Sequence, residues 1–123
     1  MITGSLPTIT AFPVELRIVF QNLLSNALKY RRKDIEPVVI ISSKTDEKFW
    51  NFTVEDNGIG IDKKYSDKIF IIFQRLHNNK EYKGTGIGLA HCKKIIELHN
   101  GAIWMESELG EGTKFHFTIP KHF

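Results

Sequence analysis

The run Glu55-Asp56-Asn57-Gly58-Ile59-Gly60-Ile61-Asp62 marks where a sheet ends and a glycine-spaced loop begins, and the rest of the chain is arranged around that point. Upstream, Trp50, Phe52 and Val54 alternate with Asn51, Thr53 and Glu55, the period of two that makes a half-buried strand. The strand therefore delivers Asp56 to the floor of a pocket at the sheet's end. Gly58 and Gly60 have no Cβ, so the backbone there can take positive φ and a flat ligand can come close to the main chain. Asp56 is then placed to accept a hydrogen bond from an exocyclic amine. Taken alone, Asp-Asn-Gly is more simply a strand running into a hairpin turn, and the neighbouring segments must decide between the two.

Composition narrows the field. A chain of 123 residues, 41% hydrophobic and 25% charged, is expected to be one soluble domain over residues 1–123 with a real core. The longest apolar run, Ile69 to Phe73, is far too short to cross a bilayer, and the N-terminus lacks a signal-peptide pattern. No direct membrane contact and a cytoplasmic setting are expected. A single cysteine, Cys92, excludes an internal disulfide and reads as a core thiol, and the five scattered histidines offer no zinc spacing. The net charge of +3 is spread out apart from the basic cluster at Lys29 to Lys33, so no nucleic-acid partner is expected. An anionic small molecule suits that cluster as well.

In chain order, Leu6 to Thr10 reads as a short edge strand, and Pro13 opens a helix running to about Arg32. At about 100° per residue, Leu16, Val19, Phe20, Leu23, Leu24 and Ala27 share one broad side, with Asn22, Asn26 and Lys29 opposite. Those three suit a solvated face. Two asparagines are poor helix formers, however, and if that face turns towards Asp56 it offers amide oxygens to a divalent cation and an ammonium to phosphate. Val38 to Lys44 and Trp50 to Glu55 make a hairpin through a turn at Thr45 to Lys48. Residues Asp62 to Lys83, with a helical piece at Tyr65 to Leu76, read as a mobile cover.

Gly84-Thr85-Gly86-Ile87-Gly88-Leu89-Ala90 opens a second helix, with Leu89, Cys92, Ile95 and Ile96 inward. A glycine-rich loop meeting a helix N-terminus favours phosphate, although this is neither a Walker A loop nor a dinucleotide fingerprint. Asn100-Gly101 ends the helix in left-handed fashion, and His99 reads as a structural or capping residue. Two strands close the chain, Ala102 to Ser107 and Thr113 to Ile119, with Phe115, Phe117 and Ile119 facing the core. Hairpin-joined strands with helices gathered on one face make an α+β, two-layer α/β sandwich.

These segments together resemble a known family. Asn22 to Tyr30 resembles the N box of sensor histidine kinases, Asp56 to Gly60 their first glycine box, Phe70 to Arg75 the F box, Gly84 to Leu89 the second glycine box and Gly110-Glu111-Gly112-Thr113 the third. Phe73 to His77, with Glu81-Tyr82, is most similar to the phytochrome-like and PAS-linked members. The resemblance implies the Bergerat-type ATP-binding fold shared with gyrase, the Hsp90 chaperones and MutL, with a mixed, largely antiparallel sheet and a mobile ATP lid. It implies ATP and Mg²⁺ as cofactors, and roles residue by residue. Asn26 would hold Mg²⁺ at the phosphates, and Asn22, one turn before it, would count among the ATP-binding residues; Lys29 would contact phosphate, Tyr30 would pack beside the base, and Asp56 would bind the adenine amine. Gly58 and Gly60 would admit the base. Gly84, Thr85, Gly86, Gly88 and Leu89 would shape the lid, Phe73 would anchor it, and Thr113 would close the adenine end.

Members of the family transfer the γ-phosphoryl of ATP to a histidine in a helical dimerisation domain, for relay to a response regulator aspartate. No such segment precedes Leu6, and His77, His91, His99, His116 and His122 do not fit the part, so the acceptor is expected on a separate domain of a larger homodimeric protein. The acidic residue usual near Phe12 is also missing, which puts the first helix's cap in doubt. Relatives that hydrolyse ATP carry a glutamate base one turn before the metal-binding asparagine, where this chain has Asn22, and an amide cannot take the proton. An ATP-hydrolysing member, an anti-sigma-type kinase and a degenerate docking domain are the alternatives. Damage to Asn26, Asp56 or the lid glycines would favour the last, and none is damaged.

Overall fold

In the computed structural model of the chain, the residues described are 2–3, 9, 11–62 and 85–121. The described elements are β1 (Ile2–Thr3), α1 (Pro13–Lys29), β2 (Val39–Thr45), β3 (Phe49–Asp56), α2 (Thr85–Leu98), β4 (Ile103–Glu108) and β5 (Gly112–Pro120). The strands form one sheet in the order β1-β2-β3-β5-β4, parallel at β1–β2 and antiparallel elsewhere. It is the mixed, largely antiparallel sheet of an α+β sandwich. Of the edge strand expected over Leu6 to Thr10 only Ile9 is described, outside any regular element, and the rest of that range lies outside the described residues; the strand paired with β2 is Ile2–Thr3. The expected cover at 63–83 lies outside the described residues. Among those described, no helix is long and apolar enough to cross a membrane.

Strand alternation builds the core row by row. Cross-strand register sets Phe52, Phe117 and Ile103 side by side, then Val54, Phe115 and Met105, all on the helix-facing side. Phe52 and Phe117 stack with centroids 5.1 Å apart, and Phe20 of α1 meets both rings edge-on at 5.9 and 5.4 Å, arrangements that suit the ring quadrupole. Val19, Leu23 and Ala27 of α1 and Leu89, Cys92, Ile95 and Ile96 of α2 are buried against this face. Burial pushes the Cys92 thiol up to about 11, with the Asn22 side chain pulling weakly the other way. It is an inert core thiol.

The termini of the helices have local causes. Phe12 at the N-cap of α1 has no side chain able to cap, and its N–H donates instead to His99 Nε2 at 3.0 Å, with the two rings edge-to-face at 5.1 Å. Nδ1 of the same imidazole donates to the Ile95 carbonyl at 2.9 Å. Those partners fix the tautomer with its proton on Nδ1. α2 ends at Asn100 with φ 62°, and Gly101 N–H returns to the Ile96 carbonyl at 2.9 Å, the left-handed stop expected of Asn-Gly. α1 stops at Lys29 rather than Arg32, because Tyr30 leaves helical geometry and the arginines beyond it turn to other carbonyls. At the hairpin between β2 and β3, Asp46 accepts from Lys48 N–H, Phe49 N–H and the Asn51 amide.

Candidate functional site

The apolar rows of the sheet end in a polar one. Asp56, Thr113 and Ser107 are cross-strand neighbours on β3, β5 and β4, one register step beyond Val54, Phe115 and Met105 on the same face. They open on a cleft of about 690 Å³ that Glu55, Glu106, Glu108 and Glu111 also line. Asp56 Oδ1 accepts the Gly58 N–H at 2.9 Å. Burial drives the Asp56 carboxyl above the usual range, the amides of Gly58 and Thr113 pull it back, and nearby Glu55 adds a smaller upward push. Ser107 Oγ lies 2.7 Å from Ile61 N, 2.8 Å from the Gly112 carbonyl and 3.0 Å from Thr113 Oγ1. A partly desolvated carboxylate thus stands beside two hydroxyls at the mouth of a cleft.

The loop after Asp56 is tied on every side. Ile59 N–H donates to the Tyr30 carbonyl at 2.9 Å, and Gly110 N–H to the Ile59 carbonyl at 2.7 Å. Arg32 spans two segments, donating from Nε to the Asn57 carbonyl at 2.9 Å and from Nη1 to the Gly110 carbonyl at 3.0 Å. The Asn57 side chain accepts Val38 N–H at 2.9 Å and donates to the Glu36 carbonyl at 3.0 Å. The basic cluster is therefore partly structural: Arg31 bonds the Leu28 carbonyl at 2.7 Å, and Arg32 is committed to the loop.

The glycines of that loop also differ from expectation. Only Gly60 has positive φ, 78°, while Gly58 does not. A Cβ on Gly58 would fall 2.5 Å from the Tyr30 carbonyl oxygen, and one on Gly60 would collide with the Glu108 carbonyl. Close packing of main chain on main chain already requires both glycines.

On α1, Asn22 and Asn26 are half-buried and Lys29 is exposed. Asn22 Nδ2 reaches the Gly88 carbonyl at 3.4 Å, so this amide faces α2. The Asn26 amide has no hydrogen-bond partner among the described residues. Tyr30 N–H closes the last turn on the Asn26 carbonyl at 3.0 Å, and the Lys29 ammonium lies 5.7 Å from the Tyr30 ring centroid. Tyr30 joins the Asn26 turn to the Asp56 loop through its own main chain. Leu89 is buried and Gly88 half-buried in the first turns of α2, whose backbone begins at Thr85 and includes Gly86, with no acidic residue in its first turn. Phe73 and Gly84 lie outside the described residues. The contributions of Ser107, Arg32 and Asn57 went unread in the sequence. For Ser107 a signal exists: alternation from Ile103 and Met105 places a serine on the core side.

The polar row Asp56, Thr113 and Ser107 thus closes the sheet beside the loop that ties β3 to the end of α1. The chain belongs to the family "Histidine kinase-, DNA gyrase B-, and HSP90-like ATPase", whose profile matches residues 12–122, and its relatives place it among histidine-kinase catalytic domains. It is 56% identical over 115 residues to Cyanobacterial phytochrome A of Nostoc sp. (strain PCC 7120), covering 94% of this chain and 15% of that protein. Phytochrome-like protein Cph1 of Synechocystis sp. (strain PCC 6803) is 53% identical over 117 residues, 95% of this chain and 16% of the relative. Adaptive-response sensory kinase SasA of Synechococcus elongatus is 40% identical, across 97% of this chain and 30% of its own length. The chain thus spans only a small part of these relatives. Among solved structures, the catalytic domain of histidine kinase ThkA superposes with a TM-score of 0.80 at 29% identity, over 98% of this chain and 78% of that one. Full-length ShkA in complex with AMPPNP gives 0.80 at 28% identity, over 97% of this chain and 25% of that one.

Proposed function

We propose that the chain binds Mg-ATP and serves as the catalytic half of a two-component sensor kinase, directing the γ-phosphoryl to a histidine on a separate dimerisation domain for relay to a response regulator. The observation that carries this reading is the row Asp56, Thr113 and Ser107 at the mouth of the cleft. A carboxylate kept from water, with acceptor oxygens beside it, gains most from a ligand that donates an N–H, as an adenine amine does. The carboxylates at that end of the cleft outnumber its one cation, Lys114, and repel phosphate. The triphosphate would therefore extend the other way, past Tyr30 to Asn26, Lys29 and the N-terminal turn of α2, where helix N–H groups favour anions.

The Asn26 amide, with no hydrogen-bond partner among the described residues, suits a divalent cation, since a hard ion takes neutral carbonyl oxygens. Mg²⁺ held there would neutralise charge on the phosphates. Asn22 already donates to the Gly88 carbonyl and has no proton-accepting nitrogen to activate water, which favours transfer over hydrolysis. Calorimetric titration of ATP with and without Mg²⁺ tests the reading. Wild type should bind more tightly with Mg²⁺, and Asn26→Ala should lose that difference while melting at nearly the same temperature. A folded variant with unchanged Mg²⁺ dependence would remove Asn26 from the site.

A further inference from the structure

We propose that Ser107 sets the hydrogen-bond polarity of the base end of the cleft: it holds the Thr113 hydroxyl as an acceptor and so selects a 6-amino purine over a 6-oxo purine. The inference rests on the proposed nucleotide site and deepens it. A serine hydroxyl has one proton and two acceptor positions. The Gly112 carbonyl can only accept, so at 2.8 Å it takes the Ser107 proton. The Ile61 N–H can only donate, so at 2.7 Å it fills one acceptor position. The remaining contact, 3.0 Å between Ser107 Oγ and Thr113 Oγ1, must then run from Thr113 to Ser107.

That assignment consumes the one proton of the Thr113 hydroxyl, and its backbone N–H is already turned to Asp56. With 6% of its surface exposed, Thr113 presents lone pairs alone to anything in the cleft. Asp56, its register neighbour, also offers acceptors, one oxygen already taking the Gly58 N–H. A purine amine meets two complementary groups on this wall. A carbonyl in the same place meets lone pairs and no proton, and an unpaired polar group held from water weakens binding. The carboxylate alone would discriminate less, because a threonine hydroxyl free to rotate would turn its proton to a carbonyl. Ser107 removes that freedom without touching the ligand, which makes it a positioning residue.

The test compares ATP with ITP, which differs in carrying a carbonyl where ATP has the 6-amino group, in direct binding titrations of the 123-residue chain. Wild type should prefer ATP. Ser107→Ala should lower the ATP:ITP affinity ratio by about tenfold, since Thr113 then has no acceptor and can rotate. Ser107→Thr, which keeps the hydroxyl, should retain the ratio. In a Thr113→Val background, Ser107→Ala should change the ratio no further, the coupling expected of residues acting as a unit. An unchanged ratio in a Ser107→Ala variant that melts cooperatively would overturn the proposal, as would an equal fall in the Thr113→Val background. Should Ser107→Ala fail to fold, Ser107→Gly also removes the hydroxyl and carries the same two results. A wild-type chain that binds ATP without preference over ITP overturns this inference alone, and one that binds neither overturns the ATP-binding reading beneath it.

Discussion

Asp56 is held in conflict with the fold that carries it. Its carboxyl is driven upward chiefly by burial, against the opposing pull of the Gly58 and Thr113 amides. A carboxyl whose folded value lies above its unfolded one binds protons more readily when folded, so its ionisation subtracts stability as pH rises beyond the ordinary carboxylate range. Asp56→Asn should therefore melt no lower than wild type at pH 7, and any advantage should vanish as the pH falls to where Asp56 is protonated. The same change should weaken ATP binding by tenfold to a hundredfold, the worth of about 1.5–3 kcal/mol for a hydrogen bond to a charged group. Calorimetry and thermal melts across pH check both; a variant that is unstable and still binds ATP would make Asp56 structural. Asp56 was legible in the sequence because alternation delivers it to a strand's end just before glycines. Ser107 was not, since its importance depends on the Ile61 N–H and the Gly112 carbonyl arriving from distant parts of the chain.

Elements here are fastened at their ends as much as along their faces. The face of α1 could be read from its apolar spacing, and Val19, Leu23 and Ala27 are buried as that spacing requires. Its ends could not, because both are satisfied by residues far away in sequence. At the start, His99 from the end of α2 accepts Phe12 N–H and takes over from the missing acidic cap. At the finish, Tyr30 and Arg32 tie the chain to the loop after β3 and to the β4–β5 turn, so cations that sequence suggested for an anion serve the fold. His99 is fully buried, with bonds at both ring nitrogens. His99→Ala would orphan the Phe12 N–H and open a cavity, at a cost of about 2 kcal/mol. A melting temperature lowered by several degrees, with ATP affinity retained at 20 °C, is the expected pair of results. A variant as stable as wild type would mean that water replaces the imidazole at the Phe12 N–H without loss.

For the molecule as a whole, the layer architecture follows from strand and helix periodicities alone, while the parallel pairing of β1 with β2 depends on a two-residue strand too short to leave a pattern. The proposed division of the site into an acidic base end and a phosphate end at α1 and α2 has a consequence for what the chain can do unaided. Phosphoryl transfer depends mainly on positioning and on neutralising charge at the phosphate, and the two proposed contributors adjoin, since Asn26 lies one helical turn beyond Asn22, whose amide reaches the Gly88 carbonyl in the first turns of α2. Among the described residues, three candidate side chains for a nucleophile or a base are unsuited to the part: Asn22 is an amide turned to Gly88, His99 is buried in the helix clasp, and His116 lies on the opposite face of the sheet, bonded to Thr53 at 2.9 Å. On the proposed function, the chain alone should therefore release inorganic phosphate from ATP at a negligible rate. Mixed at high concentration with the dimerisation domain of its own kinase, it should generate an acid-labile, alkali-stable phosphohistidine on that domain. Asn26→Ala should reduce the product at least tenfold, the scale of a lost charge-stabilising contact. Steady Mg²⁺-dependent phosphate release by the isolated chain, abolished by Asn26→Ala, would instead identify a hydrolase, and would require a base that the Asn22 position does not supply.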